Sequence, residues 1–226
     1  MNYQNICIDK YWGDSDTNIE FCEYKYYNNR YISEYYNTIS NIFYIFFPLL
    51  LNNCDKILLG LSVCIGLSSG VFHMTSRYYG EFLDEIFMVI MVTTYNWKLF
   101  SILGFIWNGE VMNIIIYLYF IYFITNIYAF FNACIVLGII FIYFQLYIFY
   151  PHGNQRIKNN IQYSLYSIIS GTILWILEQS LGCKYYNFIV ICHPLWHFFS
   201  ALLIYYLLKT YSLIIGYSNR TPIVIE

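Results

Sequence analysis

The feature that most restricts the fold of this chain is a series of long apolar segments with few charges among them. The 226 residues are 59% hydrophobic and only 11% charged, whereas soluble proteins average about a quarter charged residues. A single soluble domain of this length cannot shield so much apolar surface from water. The sequence therefore predicts a protein of the lipid bilayer. Its net charge of −2 offers no basic surface that would attract nucleic acid.

Polar, glycine and proline clusters divide the chain into seven apolar segments, most of them near the roughly 20 residues that a helix needs to cross a bilayer. Membrane strands would be about ten residues long and would alternate between apolar and polar side chains, so we expect helices. The boundary between the fourth and fifth segments is marked only by Phe131 and Asn132. The predicted spans are 36–51, 57–74, 82–105, 111–130, 133–150, 161–181 and 188–215.

These spans predict an all-α fold, a seven-transmembrane helix bundle with a short N-terminal extramembrane segment. The short loops on the N-terminal side carry two basic residues, Arg77 and Lys184, whereas the loops and tail on the C-terminal side carry six. Basic residues favour the cytosolic side of a membrane. We therefore expect a lumenal segment at 1–35, a transmembrane domain at 36–216 and a cytosolic tail at 217–226.

Ionisable side chains are costly inside a bilayer and usually serve a function there. In the predicted spans they gather near the ends that face the N-terminal side. They are His73, Asp84, Glu85, Glu178, His193 and His197. The H-x-x-x-H spacing of the last two puts both imidazoles on one helix face, and His73 adds a third at the same depth. Three histidines with one open position are typical of a hydrolytic zinc site. Asp84 would lie beside that position, and Ser69 is one helical turn from His73.

Each of these residues also has a purely structural interpretation. The H-x-x-x-H pair, with Pro194 after its first histidine, could simply begin a helix, and the proline restricts the backbone of His193. A histidine at the membrane interface, such as His73, can extend its ring towards water. Asp84 could cap its helix, and Ser69 could bond to its own helix backbone. The coincidence of three histidines and an acid at one depth favours the metal site.

Several stretches of the sequence resemble the alkaline ceramidases, a seven-helix family in the same superfamily as the adiponectin-receptor-like proteins. They are YWG at 11–13, CE at 22–23, YISEYYNTISN at 31–41, SGVFHMT at 69–75, LDE at 83–85 and HPLWH at 193–197. The serine, histidine, aspartate and H-x-x-x-H pattern is shared across the superfamily, whereas the N-terminal motif is particular to the ceramidases. The resemblance covers nearly the whole chain.

The resemblance implies a zinc-dependent amidohydrolase of the endoplasmic reticulum or Golgi membrane, which cleaves ceramide to a sphingoid base and a fatty acid. His73, His193 and His197 would bind the zinc ion. Asp84 would hold and deprotonate a water molecule, and Ser69 would stabilise the oxyanion. Beyond the bilayer and this substrate, the sequence indicates no protein partner.

The resemblance also implies a calcium site in the approach to the first helix. Glu20, the backbone carbonyl of Phe21, Glu23 and Glu34 stand where the family supplies oxygen ligands, but Lys25 stands where an asparagine is expected. Calcium requires six to eight oxygens, and an ammonium group offers none. Our hypothesis is that Lys25 replaces the ion and neutralises Glu23 and Glu34. The alternative is a solvated cluster of charges.

The family resemblance further implies a disulfide between Cys22 and Cys183, and the alternative is two unrelated thiols. Glu178 stands where the family usually has aspartate. Two other functions remain open on the sequence alone. One is a related zinc lipid hydrolase such as a phospholipase. The other is a seven-helix receptor or proton-linked transporter without a metal, in which Asp84 and Glu178 would titrate.

Overall fold

A computed structural model of the chain describes residues 10–102, 110–125, 128–181, 183 and 186–218. These residues form nine helices and contain no strand, so the predicted all-α class is confirmed for them. Residues 1–9 of the predicted N-terminal segment and 219–226 of the predicted tail lie outside the described residues. The helices are α1 (Tyr35–Ser40), α2 (Ile42–Leu49), α3 (Lys56–Thr75), α4 (Tyr78–Ile102), α5 (Glu110–Thr125), α6 (Tyr128–Phe149), α7 (Gln155–Leu181), α8 (Tyr186–Ile189) and α9 (Cys192–Ser218).

Three helices in the described part of the chain are long and apolar enough to cross a membrane, judged by length and composition. They are Lys56–Thr75, Tyr128–Phe149 and Cys192–Tyr217. The first agrees with the predicted span 57–74 to within one residue at each end. Helical residues also occur at each of the other predicted spans.

Several predicted boundaries are wrong. Phe131 and Asn132 lie inside α6, and the fourth and fifth segments meet instead between Thr125 and Tyr128. A single asparagine costs a helix well under 1 kcal/mol, so it is a weak marker. The sixth segment begins at Gln155 rather than at 161, because the side chain of Asn154 caps α7 by accepting from the backbone N–H of Ile157 at 3.0 Å.

Two predicted spans are interrupted. The first is divided into α1 and α2 at Asn41, which keeps helical backbone angles. The last is divided into the short α8 and the long α9, and His193 and Pro194 occupy the first turn of α9. Proline is tolerated in a first turn because the N–H that it lacks has no partner within the helix.

The apolar core lies between α2, α3, α4, α6, α7 and α9. Its fully buried side chains include Leu58, Leu99, Leu146 and Leu208. The outer surface is apolar as well. On α6 the exposed side chains recur at helical spacing, as Val136, Leu137, Ile140, Phe144 and Tyr147. One continuous apolar stripe facing outwards is what lipid contact requires.

Two close approaches fix the end of the bundle where the predicted site lies. A Cβ atom on Gly80 would come within 2.7 Å of the Phe72 Cα atom, so the glycine lets α4 pass against α3. The connection between these helices turns at Ser76, whose φ of 48° is left-handed and whose hydroxyl donates to Ser33 Oγ at 2.7 Å. This tight turn brings the end of α3 beside the first turns of α4.

The other end of the bundle is held by a capped helix start. Asp55 Oδ1 accepts from the backbone N–H groups of Ile57 and Leu58, at 3.0 and 3.1 Å, and Oδ2 accepts from Lys98 Nζ at 2.7 Å. Burial opposes the charge on this carboxyl, but the hydrogen bonds from Lys98 and the two amides prevail and lower the pKa of Asp55. One side chain therefore begins α3 and ties it to α4.

We predict that Asp55→Ala lowers the melting temperature of the detergent-purified protein more than Asp55→Asn does. Alanine removes the cap, worth about 1 kcal/mol, and also the ion pair, worth up to about 1 kcal/mol. Asparagine keeps a cap oxygen and loses the charge. Because folding lowers the pKa of Asp55, its contribution is complete above the unfolded pKa and is lost as the pH falls through the folded pKa. Equal melting temperatures for the two variants would contradict the division of roles between Oδ1 and Oδ2.

Candidate metal centre

Three buried imidazoles converge at the end of the bundle nearest the N-terminal segment. His73 comes from the last turn of α3, and His193 and His197 come from the first two turns of α9. Their ligand nitrogens all lie within 4.8 Å of one another, and their ring centroids are 4.6 to 5.0 Å apart. Among the described residues this is the group of three potential ligands that could share one metal ion. Zinc takes imidazole nitrogens at about 2.0–2.1 Å, so side-chain adjustments alone would close the site around an ion.

Two of the imidazoles lie beside buried carboxyl groups. His73 Nδ1 is hydrogen-bonded to Glu34 Oε2 at 2.7 Å. His193 Nδ1 lies 3.2 Å from Glu178 Oε2, but the geometry is not that of a hydrogen bond. Glu34 is placed there by the backbone, because its N–H donates to the carbonyl of His73 at 3.0 Å. A carboxylate at Nδ1 favours the tautomer that carries its proton on Nδ1 and leaves the Nε2 lone pair for a metal.

The third imidazole is oriented by a hydroxyl group. Ser40 Oγ donates to the carbonyl of Asn37 at 2.9 Å and lies 2.7 Å from His197 Nδ1. Because the hydroxyl proton is already used, Oγ acts as the acceptor and His197 Nδ1–H as the donor. His73 and His197 therefore each have Nδ1 occupied and Nε2 left for a metal, and each is held by a different side chain.

The predicted acid and serine lie in the same cavity as the three imidazoles. Ser69 is one turn before His73 on α3 and is buried. Its hydroxyl faces the carboxyl of Asp84, which comes from α4. Asp84 Oδ1 is buried and has no hydrogen-bond partner among the described residues. An unpartnered acceptor beside an open metal position is free to hold a water molecule or a substrate group.

The cavity has a polar end and an apolar end. Its volume is about 340 Å³. A second cavity of about 80 Å³, without polar lining, continues into the bundle core. Six residues line both cavities: Tyr44, Met88, Ile135, Ile139, Ile168 and Trp196. The combined space suits a ligand with a small polar group and long hydrocarbon chains.

The segment before α1 forms a cover over the imidazoles. The ring of Phe21 lies against His193, with centroids 3.9 Å apart, and 5.0 Å from the ring of His73. The next residue, Cys22, is joined by a disulfide to Cys183, and its backbone N–H donates to Glu178 Oε1 at 3.2 Å. The carboxyl of Glu178 thus contacts both the cover and His193.

The residues predicted to bind calcium have other partners. Glu23 accepts from the backbone N–H groups of Tyr36 and Asn37, at 2.7 and 2.9 Å, and so caps α1. Burial raises the pKa of Glu23, while these amides act in the opposite direction and favour the carboxylate. Glu34 is the partner of His73, as described above. Glu23 and Glu34 are neighbours, since both accept from Asn37, and Glu20 pairs with Lys25.

Lys25 forms its ion pair with Glu20, whose Oε1 lies 3.3 Å from the ammonium group. Of the two carboxyls that we expected Lys25 to neutralise, Glu34 does feel its charge, which opposes the rise in pKa that burial causes there. The direct pair forms with Glu20 because Glu23 and Glu34 are buried, whereas the Glu20 side chain is 74% exposed.

Sequence reasoning missed the role of Ser40 as a partner of His197, and it assigned Glu34 to calcium rather than to His73. A signal for both was present. Glu34, Asn37, Ser40, Asn41 and Tyr44 recur every three or four residues, which places them on one face of a helical segment. A polar stripe along an otherwise apolar span indicates a face that lines a site.

Comparisons with known proteins agree with this arrangement. The model of the Ceramidase family matches residues 13–222. Alkaline ceramidase YPC1 of Saccharomyces cerevisiae is 30% identical over 107 residues, which cover 43% of this chain and 34% of that protein. Alkaline ceramidase 3 of Mus musculus is 32% identical over 35% of this chain and 33% of that protein. The matched region thus spans about a third of these two relatives. Alkaline ceramidase of Arabidopsis thaliana is 26% identical over 86% of this chain and 82% of that protein.

We predict that Ser40→Ala weakens zinc binding by about 10- to 100-fold, because His197 loses the acceptor that fixes its tautomer and ring orientation. Zinc affinity of the purified protein is measured by competition with a chromogenic chelator. Ser62→Ala is the matched control, since Ser62 is also buried and donates to the carbonyl of Tyr44 without touching an imidazole. A Ser40 variant that binds zinc as tightly as the Ser62 variant would show that the hydroxyl does not orient His197.

Proposed function

The chain belongs to the ceramidase family, and we propose that it hydrolyses the amide bond of ceramide at a zinc ion held by His73, His193 and His197. The products are a sphingoid base and a fatty acid. The observation that carries this proposal is the convergence of three imidazoles beside the unpartnered Asp84 Oδ1, in a cavity that continues into an apolar one. The alkaline ceramidases among its relatives support the choice of substrate.

The donor set fits zinc in an open, hydrolytic coordination. Three neutral imidazoles supply three ligands and leave a fourth position. Zinc bound in this way lowers the pKa of water to about 7 and polarises a carbonyl group. The Nδ1 partners of the imidazoles hold the ligands in place when substrate enters.

Asp84 and Ser69 then carry out the proton transfer and stabilise the developing charge. Asp84 Oδ1 accepts a proton from the attacking water and passes it to the amide nitrogen as the C–N bond breaks. The sphingoid base therefore leaves as a neutral amine. The Ser69 hydroxyl donates to the carbonyl oxygen as negative charge develops there. The Phe21 cover excludes bulk water from this end of the cavity and so strengthens both interactions.

The apolar part of the cavity binds the hydrocarbon chains of the substrate. Apart from Ser200, its lining residues are large apolar and aromatic side chains, which hold a chain by burial rather than by hydrogen bonds. A phospholipase would share the metal but not the substrate, and a receptor or transporter would hold no metal. Metal analysis together with a lipid panel separates these alternatives.

We further propose that the chain crosses the membrane seven times, with the N-terminal segment 1–35 in the lumen of the endoplasmic reticulum or Golgi and the tail 217–226 in the cytosol. The distribution of basic residues supports this orientation. So does the Cys22–Cys183 disulfide, since disulfides persist in oxidising compartments and both cysteines lie on the proposed lumenal side. The catalytic site would then lie near the lumenal leaflet.

We predict that His73→Ala and Asp84→Asn each lower ceramide hydrolysis by at least about 10²-fold, but with different metal contents. The histidine variant loses a ligand and binds less zinc. The aspartate variant keeps the three ligands and loses a general base, whose contribution is typically 10²- to 10⁴-fold. Hydrolysis is followed with purified protein and a ceramide panel, and zinc by elemental analysis.

The control for this experiment is His152→Ala, which removes an exposed histidine in the turn between α6 and α7 and should change neither quantity. Melting temperatures verify that all variants are folded. Substantial turnover by the His73 variant would refute the proposed chemistry.

We also propose that the segment before α1 folds without calcium, because Glu23 is held by helix amides and Lys25 pairs with Glu20. The expected result is that activity changes by less than about twofold when calcium is removed with a selective chelator at constant zinc. Lys25→Asn is the informative variant, since it restores an oxygen ligand where an ammonium stands and should increase the response to calcium. A steep rise in wild-type activity with added calcium would contradict the proposal.

A further inference from the structure

The α4 wall of the cavity carries two buried carboxyl groups besides Asp84. Glu81 and Glu85 lie four residues apart and so share one face of α4. Their exposed fractions are 1% and 4%, and both residues line the cavity. Neither carboxyl contacts the three imidazoles in the described structure, so the proposed hydrolysis leaves both without a role.

Each of these carboxyls has one oxygen engaged and one oxygen open. Glu85 Oε2 accepts from the hydroxyl of Tyr122 on α5, and Glu81 Oε2 accepts from the backbone N–H of Asn18 at 2.8 Å. The two Oε1 atoms are buried and have no hydrogen-bond partner among the described residues. Tyr122 is fully buried, so it holds the Glu85 side chain in one position.

A buried acceptor without a partner costs about 1–3 kcal/mol, and native proteins leave few of them. Two such atoms on one helix face, both in a ligand cavity, indicate that the ligand brings O–H or N–H donors to this wall. Hydrocarbon chains have none. The head of ceramide has two hydroxyl groups. Both are close to the amide bond on which Asp84 and Ser69 would act.

We propose that Glu85, with Glu81 one turn away, binds the free hydroxyl groups of the sphingoid head and restricts the substrate to ceramides whose hydroxyls are unmodified. This inference rests on the proposed function, and it identifies the carboxyl groups that select the lipid substrate. Tyr122 is a positioning residue that aims Oε1 of Glu85 at the substrate. A lipid with a phosphate at the hydroxyl position would turn acceptor oxygens towards the carboxyl oxygens, and the cavity rejects it.

The test measures binding rather than turnover. In the Asp84→Asn background, ceramide and its analogues that lack the primary or the secondary hydroxyl are titrated in detergent micelles of fixed composition. The expected result is that loss of at least one hydroxyl weakens binding tenfold or more, and that ceramide phosphorylated at the primary hydroxyl binds at least as weakly. If the Asp84→Asn protein, in which Glu85 is intact, bound ceramide and both deoxy analogues equally well, the inference would be overturned.

The paired variant Glu85→Met/Tyr122→Phe removes the acceptor together with the hydroxyl that holds it, and replaces both by apolar groups of similar shape, which is often nearly neutral for stability. It should bind ceramide and the deoxy analogues within about threefold of each other. Tyr122→Phe alone keeps the carboxyl group but no longer holds it in position, so it should reduce the preference for ceramide without abolishing it. A preference that survives intact in the paired variant would also overturn the inference.

The outcome is separate from that of the proposed function. Hydroxyl-dependent binding by a protein whose parent form does not hydrolyse ceramide would refute the hydrolysis and support the inference. Ceramide hydrolysis by a protein whose lipid binding does not depend on the hydroxyls would support the hydrolysis and refute the inference.

Discussion

The structure depends on satisfying polar groups that are buried where the helix bundle excludes water. Two of the three imidazoles meet this requirement through a hydrogen bond at Nδ1. Glu34 lies 39 residues before His73, and Ser40 lies 157 residues before His197. These hydrogen bonds therefore join the start of α1 to α3, and α1 to α9. The same contacts that would orient metal ligands also close the bundle at this end.

The segment before α1 is part of the site rather than an appendage. Cys22 is anchored covalently to Cys183, packs beside Cys192 and Ile189, and donates its backbone N–H to Glu178. The side chain of the preceding residue covers the imidazoles. A disulfide that closes so long a loop, 161 residues, strongly restricts the unfolded chain. The cover is thereby held at the mouth of the cavity even though its described residues, 10–34, form no helix.

Much of the fold was predictable, because the period and length of apolar runs respond directly to the thickness of the bilayer. The convergence of His73, His193 and His197 was predictable too, since ionisable residues within spans are rare. The end of α5 was not predictable. In the sequence Asn132 looks like the break after the fourth segment, but in the structure it lies inside α6. The partners of the imidazoles were harder still. A serine such as Ser40 carries no sign of which residue it will meet 157 positions later, and Glu34 reads equally well as a ligand for a different ion.

Unpartnered buried oxygens are concentrated on the α4 wall of the cavity. His73 and His197 have hydrogen-bond partners at Nδ1, whereas Glu81 Oε1, Asp84 Oδ1 and Glu85 Oε1 have none among the described residues and belong to residues that line the cavity. Since α4 is held against α3 by the close approach at Gly80, the two kinds of wall face each other across a fixed gap. The α3 and α9 wall supplies the three imidazoles that could share a metal ion. The open acceptors of the α4 wall would be satisfied by a polar lipid head that lies between them and the imidazoles. On the proposed function, these acceptors would distinguish a hydroxylated head group from the hydrocarbon that surrounds the bundle.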